Sequence, residues 1–69
     1  MKLLKTTTIE NCRLYSTENG GYTVAVFDQS RRMDFALNSD GTTKNVDFDD
    51  LSKINQDGIK WAQNQINLI

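Results

Sequence analysis

Two short reversals constrain this chain more than any other feature. Asn19-Gly20 lies between two β-prone runs, and Gln29-Ser30 lies between the second run and a third. Asn-Gly flanked by alternating apolar residues is a strong local hairpin signal. Turn length sets register, and a slip of one residue sends every side chain to the other face. Read as two-residue loops, the turns pair Thr17 with Tyr22, Tyr15 with Val24 and Arg13 with Val26. On the other side they pair Asp28 with Arg31, Val26 with Met33, Val24 with Phe35 and Tyr22 with Leu37.

That register predicts a two-sided sheet. Tyr15, Tyr22, Val24, Val26, Met33, Phe35 and Leu37 share the face expected to carry a helix. Cys12, Leu14, Ala25, Phe27 and Ala36 share the opposite face with Arg32, Asp34, Thr23 and Ser16. This second face is too apolar for an ordinary wet side. It is expected either to lie beneath an N-terminal arm bearing Leu3, Leu4 and Ile9, or to bind a partner. Cys12, Leu14, Ala25, Phe27, Arg32, Asp34 and Ala36 are the candidate partner-binding residues, with Phe27 and Leu14 as anchors.

The strands are expected at Ile9 to Thr17, Tyr22 to Asp28 and Arg31 to Asn38. Met1 to Thr8 reads as a frayed arm or a fourth, edge strand, and Asn38-Ser39-Asp40-Gly41 as a turn. Thr42 to Asn45 offers a further short extended stretch. Asp47 is a helix N-cap candidate, with Val46 and Leu51 placed as a hydrophobic staple. Phe48, Leu51, Ile54, Trp61, Ala62 and Ile66 then recur at helical spacing. Asn55-Gln56-Asp57-Gly58 offers a break point, because Gly costs about 1 kcal/mol relative to Ala inside a helix. The expected fold is α+β: an antiparallel three- to four-stranded meander with a C-terminal helix on one face, either continuous or broken near Gly58. It forms one domain over residues 1–69.

Composition narrows the function classes. At 69 residues with one Cys and no His, the chain can form neither an internal disulfide nor a Cys/His zinc site. Domains this small bury only about 60% of their unfolded surface. Efficient packing or a partner subunit must supply the rest. Cys12 has no His to activate it, and its expected role is that of a small buried residue. Asp47, Asp49 and Asp50 form an acidic cluster, best explained by the positive end of a helix dipole. Asp40-Gly41 departs from the calcium-loop pattern, and Gly20-Gly21 belongs to a hairpin rather than a phosphate loop. No catalytic residues, cofactor or metal are expected. Polar Thr6-Thr7-Thr8 interrupts any leader-like start, no apolar run is long enough to span a membrane, and the chain reads as cytoplasmic.

The expected function is non-enzymatic binding of another protein or of a second copy of the chain. In size and layout the chain resembles small viral and mobile-element accessory proteins, including anti-CRISPR inhibitors of host defence enzymes. That resemblance implies an inhibitory role. The alternative is nucleic acid. A three-stranded sheet on one helix resembles the arm-type DNA-binding domains of phage integrases. That resemblance implies phosphate contacts by Arg13, Arg31, Arg32 and Lys44. The formal net charge of −1 and an Arg13 expected on the helix side weigh against it.

Overall fold

The computed structural model describes residues 1–8 and 11–69. Four strands, β1 (Lys2–Thr6), β2 (Arg13–Ser16), β3 (Tyr22–Asp28) and β4 (Arg31–Leu37), form one antiparallel sheet in the order β1-β2-β3-β4. A 3-10 turn (Phe48–Asp50) and a single helix, α1 (Lys53–Asn67), follow. The fold is therefore an α+β meander with its helix on one face, as the patterning predicts. Ile9 and Glu10, and with them the start of the first expected strand, lie outside the described residues.

The β3–β4 register is the expected one, running from Tyr22 opposite Leu37 to Asp28 opposite Arg31. Gln29 and Ser30 form the two-residue loop with φ of 52° and 69°. Two positive φ values are what a type I′ turn requires, and that turn matches the twist of the flanking strands. Neither residue is glycine, so the left-handed conformation costs energy here.

The β2–β3 register differs from expectation by one residue. Leu14 faces Val24, Tyr15 faces Thr23 and Arg13 faces Ala25. The cause is the turn. Thr17 N–H donates to Gly21 C=O, and Gly20 N–H donates to Thr17 C=O. Only Gly20, with φ of 89°, adopts the left-handed region in this loop. This is a three-residue loop, Glu18-Asn19-Gly20, in which the glycine forms a bulge. Asn19 serves through its side chain, whose Oδ1 accepts from Gly21 N–H and from Thr17 Oγ1–H.

The slip exchanges the faces of β2. Cys12 and Leu14, expected on the second face, are fully buried beneath the helix in one cluster with Val24, Val26, Phe35, Leu37, Ile59, Ala62 and Ile66. Ser16 faces Tyr22 on that same side. Tyr15 and Arg13, expected under the helix, move to the opposite face.

The N-terminal segment does not fold over the second face as an arm. It pairs edge-on as β1, with Leu3 opposite Tyr15 and Thr6 opposite Arg13, and a bulge lies between Leu3 and Lys5. The bulge lets Leu4 pack against the core while Leu3 remains 50% exposed on the other side. Two lysines, Lys2 and Lys5, sit on this edge strand, where charge discourages pairing with a further strand.

The helical region breaks earlier than expected. Asp47 caps only the 3-10 turn, accepting from Asp49 N–H. Leu51 is extended, and Ser52 then caps α1 by accepting from Asn55 N–H. Ser52 Oγ also donates to Asp28 Oδ2 at 3.1 Å, which pins the helix start to the end of β3. The helix runs unbroken through Gly58. A Cβ there would lie 2.5 Å from Val26 Cγ2 and 2.9 Å from Cys12 Sγ. Glycine is needed because the helix backbone lies too close to Val26 and Cys12 here for a side chain. Val46, Phe48, Leu51, Ile54 and Trp61 pack partly buried around the core, so Trp61 contributes area rather than a ligand platform. Leu37 bridges to Thr43, the short extended contact anticipated at Thr42 to Asn45.

Candidate interaction surface

The corrected register sorts the open face of the sheet into three rows. One row holds Leu3, Tyr15, Thr23 and Ala36. The next holds Thr6, Arg13, Ala25 and Asp34. The third pairs Phe27 with Arg32. Helix α1 packs on β3 from the other side, and no described element packs on these rows. Arg13, Arg32, Asp34 and Ala36 are exposed; Tyr15, Thr23 and Phe27 are half-buried.

Each arginine rests on an aromatic ring of this face. Arg13 Cζ lies 5.4 Å from the centre of the Phe27 ring, one diagonal step across β2 and β3. Arg32 Cζ lies 5.9 Å from the Tyr15 ring centre. Such contacts hold a guanidinium flat against an apolar surface and limit its rotamer freedom. Arg32 Nε also donates to Asp34 Oδ1 at 2.9 Å. The hydrogen bond and charge of Asp34 raise the Arg32 pKa above its ordinary value. Arg32 starts on β4 and its head reaches a ring on β2, so the two side chains together span β3. That explains Ala25, which is fully buried although it points to the uncovered side.

Of the residues expected on this face, Thr23, Ala25, Phe27, Arg32, Asp34 and Ala36 are brought together there. Cys12, Leu14 and Ser16 are not. Arg13, Tyr15, Leu3 and Thr6 complete the face. Arg13 and Tyr15 were missed because a two-residue loop was expected at Asn19-Gly20; Leu3 was expected in a covering arm, and Thr6 was given no register because the sequence leaves the pairing of the N-terminal segment open. A signal was available. The sorting with Leu14 inward and Arg13 outward buries an apolar side chain in place of a charged one.

Two other features carry polar groups. A cleft of about 210 Å³ is lined by Asp28, Gln29, Arg31, Met33 and Asn55. Asn55 is 6% exposed, and its Oδ1 accepts no hydrogen bond among the described residues. Arg31 belongs to this cleft, on the helix side of the sheet, and so is separated from Arg13 and Arg32. The acidic cluster of Asp47, Asp49 and Asp50 stays exposed around the 3-10 turn. Among the described residues no group of three or more His, Cys, Asp or Glu is arranged to hold a metal. No described helix is long and apolar enough to cross a membrane. No family model, curated protein or solved structure matches the chain.

Proposed function

We propose that this chain is a non-enzymatic protein-binding module whose contact surface is the open face of the sheet. One observation carries the reading: Tyr15, Phe27, Arg13 and Arg32 stand together on a face that no described element covers. Aromatic residues and arginine dominate the energetic centres of protein interfaces. Both arginines here are already braced on rings, so little side-chain freedom is lost on binding. Arg13 makes no ion pair among the described residues, which leaves its guanidinium available to a partner carboxylate. In this reading the chain acts inside the cell, as a small accessory protein of viral or mobile-element type. It inhibits a host protein, such as a defence enzyme, by occupying part of its surface.

A second reading, nucleic-acid binding, gains from the position of Arg13. It stands on the same face as Arg32 and beside two rings, an arrangement compatible with phosphate contacts and base stacking. Asp34 on that face and the net charge of −1 oppose it. A mobility shift with duplex or single-stranded DNA at low salt would move the assignment to this class.

The test is Phe27→Glu. The variant should keep the far-ultraviolet circular dichroism of the parent and lose the partner that the parent captures from lysate of the producing cells. A folded Phe27→Glu protein that retains the same partner would refute the assignment of this face.

A further inference from the structure

We infer that the open face is self-complementary, and that two copies of this chain pack sheet to sheet about a two-fold axis along β3. The inference rests on reading this face as a binding surface, and it identifies the partner. It follows from the order of residues within the rows. In the middle row Arg13 on β2 and Asp34 on β4 flank Ala25 on β3. Half a turn about a line over β3 exchanges the β2 side with the β4 side and leaves the level along the strand unchanged. Arg13 of each copy then meets Asp34 of the other, so the pair forms twice, as an isologous contact requires.

The first row and the residues of β3 fit the same operation. Tyr15 on β2 meets Ala36 on β4, a large residue on a small one. Thr23 and Phe27 lie on β3, close to the axis, and each meets its own counterpart. Paired aromatic rings are favourable across such a contact. The axis parallel to β3 also brings the strands of the two sheets into near alignment, the usual geometry for face-to-face packing about 10 Å apart.

Charge fits this occupant. The face carries Arg13, Arg32 and Asp34, and Asp34 is already bonded to Arg32, so Arg13 is the charge left to pair. A second copy brings its Asp34 to that guanidinium, and the same contact forms twice. Asp34 keeps its bond to Arg32 of its own chain and has acceptor capacity left for a second guanidinium.

Sedimentation equilibrium at low salt tests the inference, from about 10 µM to 1 mM, a range that brackets weak dimers. The parent should pass from monomer to dimer. Arg13→Asp and Asp34→Arg should each raise the dissociation constant about tenfold or more, by placing like charges in contact. Mixed in equal amounts, the two variants should associate more tightly than either alone, because each supplies the charge the other now lacks. Amide spectra establish that both are folded; if either is not, Arg13→Gln with Asp34→Asn should weaken the dimer singly and together. A parent that stays monomeric throughout, or a mixture no tighter than its components, overturns the dimer. If that happens while Phe27→Glu still loses a captured foreign protein, the face stands and only the identity of its partner falls. If Phe27→Glu loses nothing, the face itself is wrong.

Discussion

Gly58 shows how one residue can oppose its own helical propensity and still be required. An alanine would suit the helix interior better by about 1 kcal/mol. Its methyl group would, however, press on Val26 Cγ2 and Cys12 Sγ, both in the fully buried core. Overpacking a tight core costs about 1–3 kcal/mol. Gly58→Ala should therefore lower the urea midpoint, and an unchanged or higher midpoint would show that helix and sheet are not so closely packed. Nothing in the sequence pattern shows this, since a mid-helix glycine reads equally well as a break. Asn55 is similarly opaque: its Oδ1 is buried without a partner among the described residues, and spacing alone places it on the helix face beside Ile59 without saying so.

Among the elements, β2 decides through its register which residues the sheet presents on its open face. Leu14 and Tyr15 are neighbours with opposite fates. Leu14 is 0% exposed and Tyr15 is half-buried on the open side. Leu14→Ala should cost about 2–5 kcal/mol, the range for emptying a core leucine site. Tyr15→Ala should cost well under half of that in thermal or chemical unfolding of the same chain. The reverse order would restore the register expected from a two-residue loop. The β3–β4 turn offers a separate test. Ser30, at φ 69°, occupies a position where glycine carries no left-handed penalty, and Ser30→Gly should raise stability by up to about 1 kcal/mol. A fall in melting temperature would show that the loop does not hold Ser30 in this conformation.

These elements also mark how far the sequence could be read. The strand content, the order of the meander and the β3–β4 pairing were legible, because Gln29-Ser30 leaves one loop length that matches apolar residues on both sides. Glu18-Asn19-Gly20 admits two lengths. The Asn-Gly signal favours two residues, whereas the observed loop uses three, with glycine alone in the left-handed region. Five of the expected contact residues still lie on the open face, because they belong to β3 and β4. Cys12 and Leu14 do not, because they belong to the strand that slipped. The helix start was displaced for a local reason: Asp47 and Ser52 are both competent caps, and the extended Leu51 between them ends the first turn.

As a whole the molecule is one-sided. A single helix covers one face of a four-stranded sheet, and the other face carries two arginines braced on two rings. The edges are less available, since Lys2 and Lys5 lie on β1 and the bridge to Thr43 covers one end of β4. Among the described residues, the broad open face is where two arginines and two aromatic rings come together. Radical footprinting read at single side chains tests this most directly, on a dilution series of the protein and with any captured partner. Tyr15 and Phe27 should label readily in the dilute chain and become protected on association, while Phe48 and Trp61 on the helix side keep constant rates. Constant labelling of Tyr15 and Phe27 through association, with protection appearing at Phe48 and Trp61, would contradict the account.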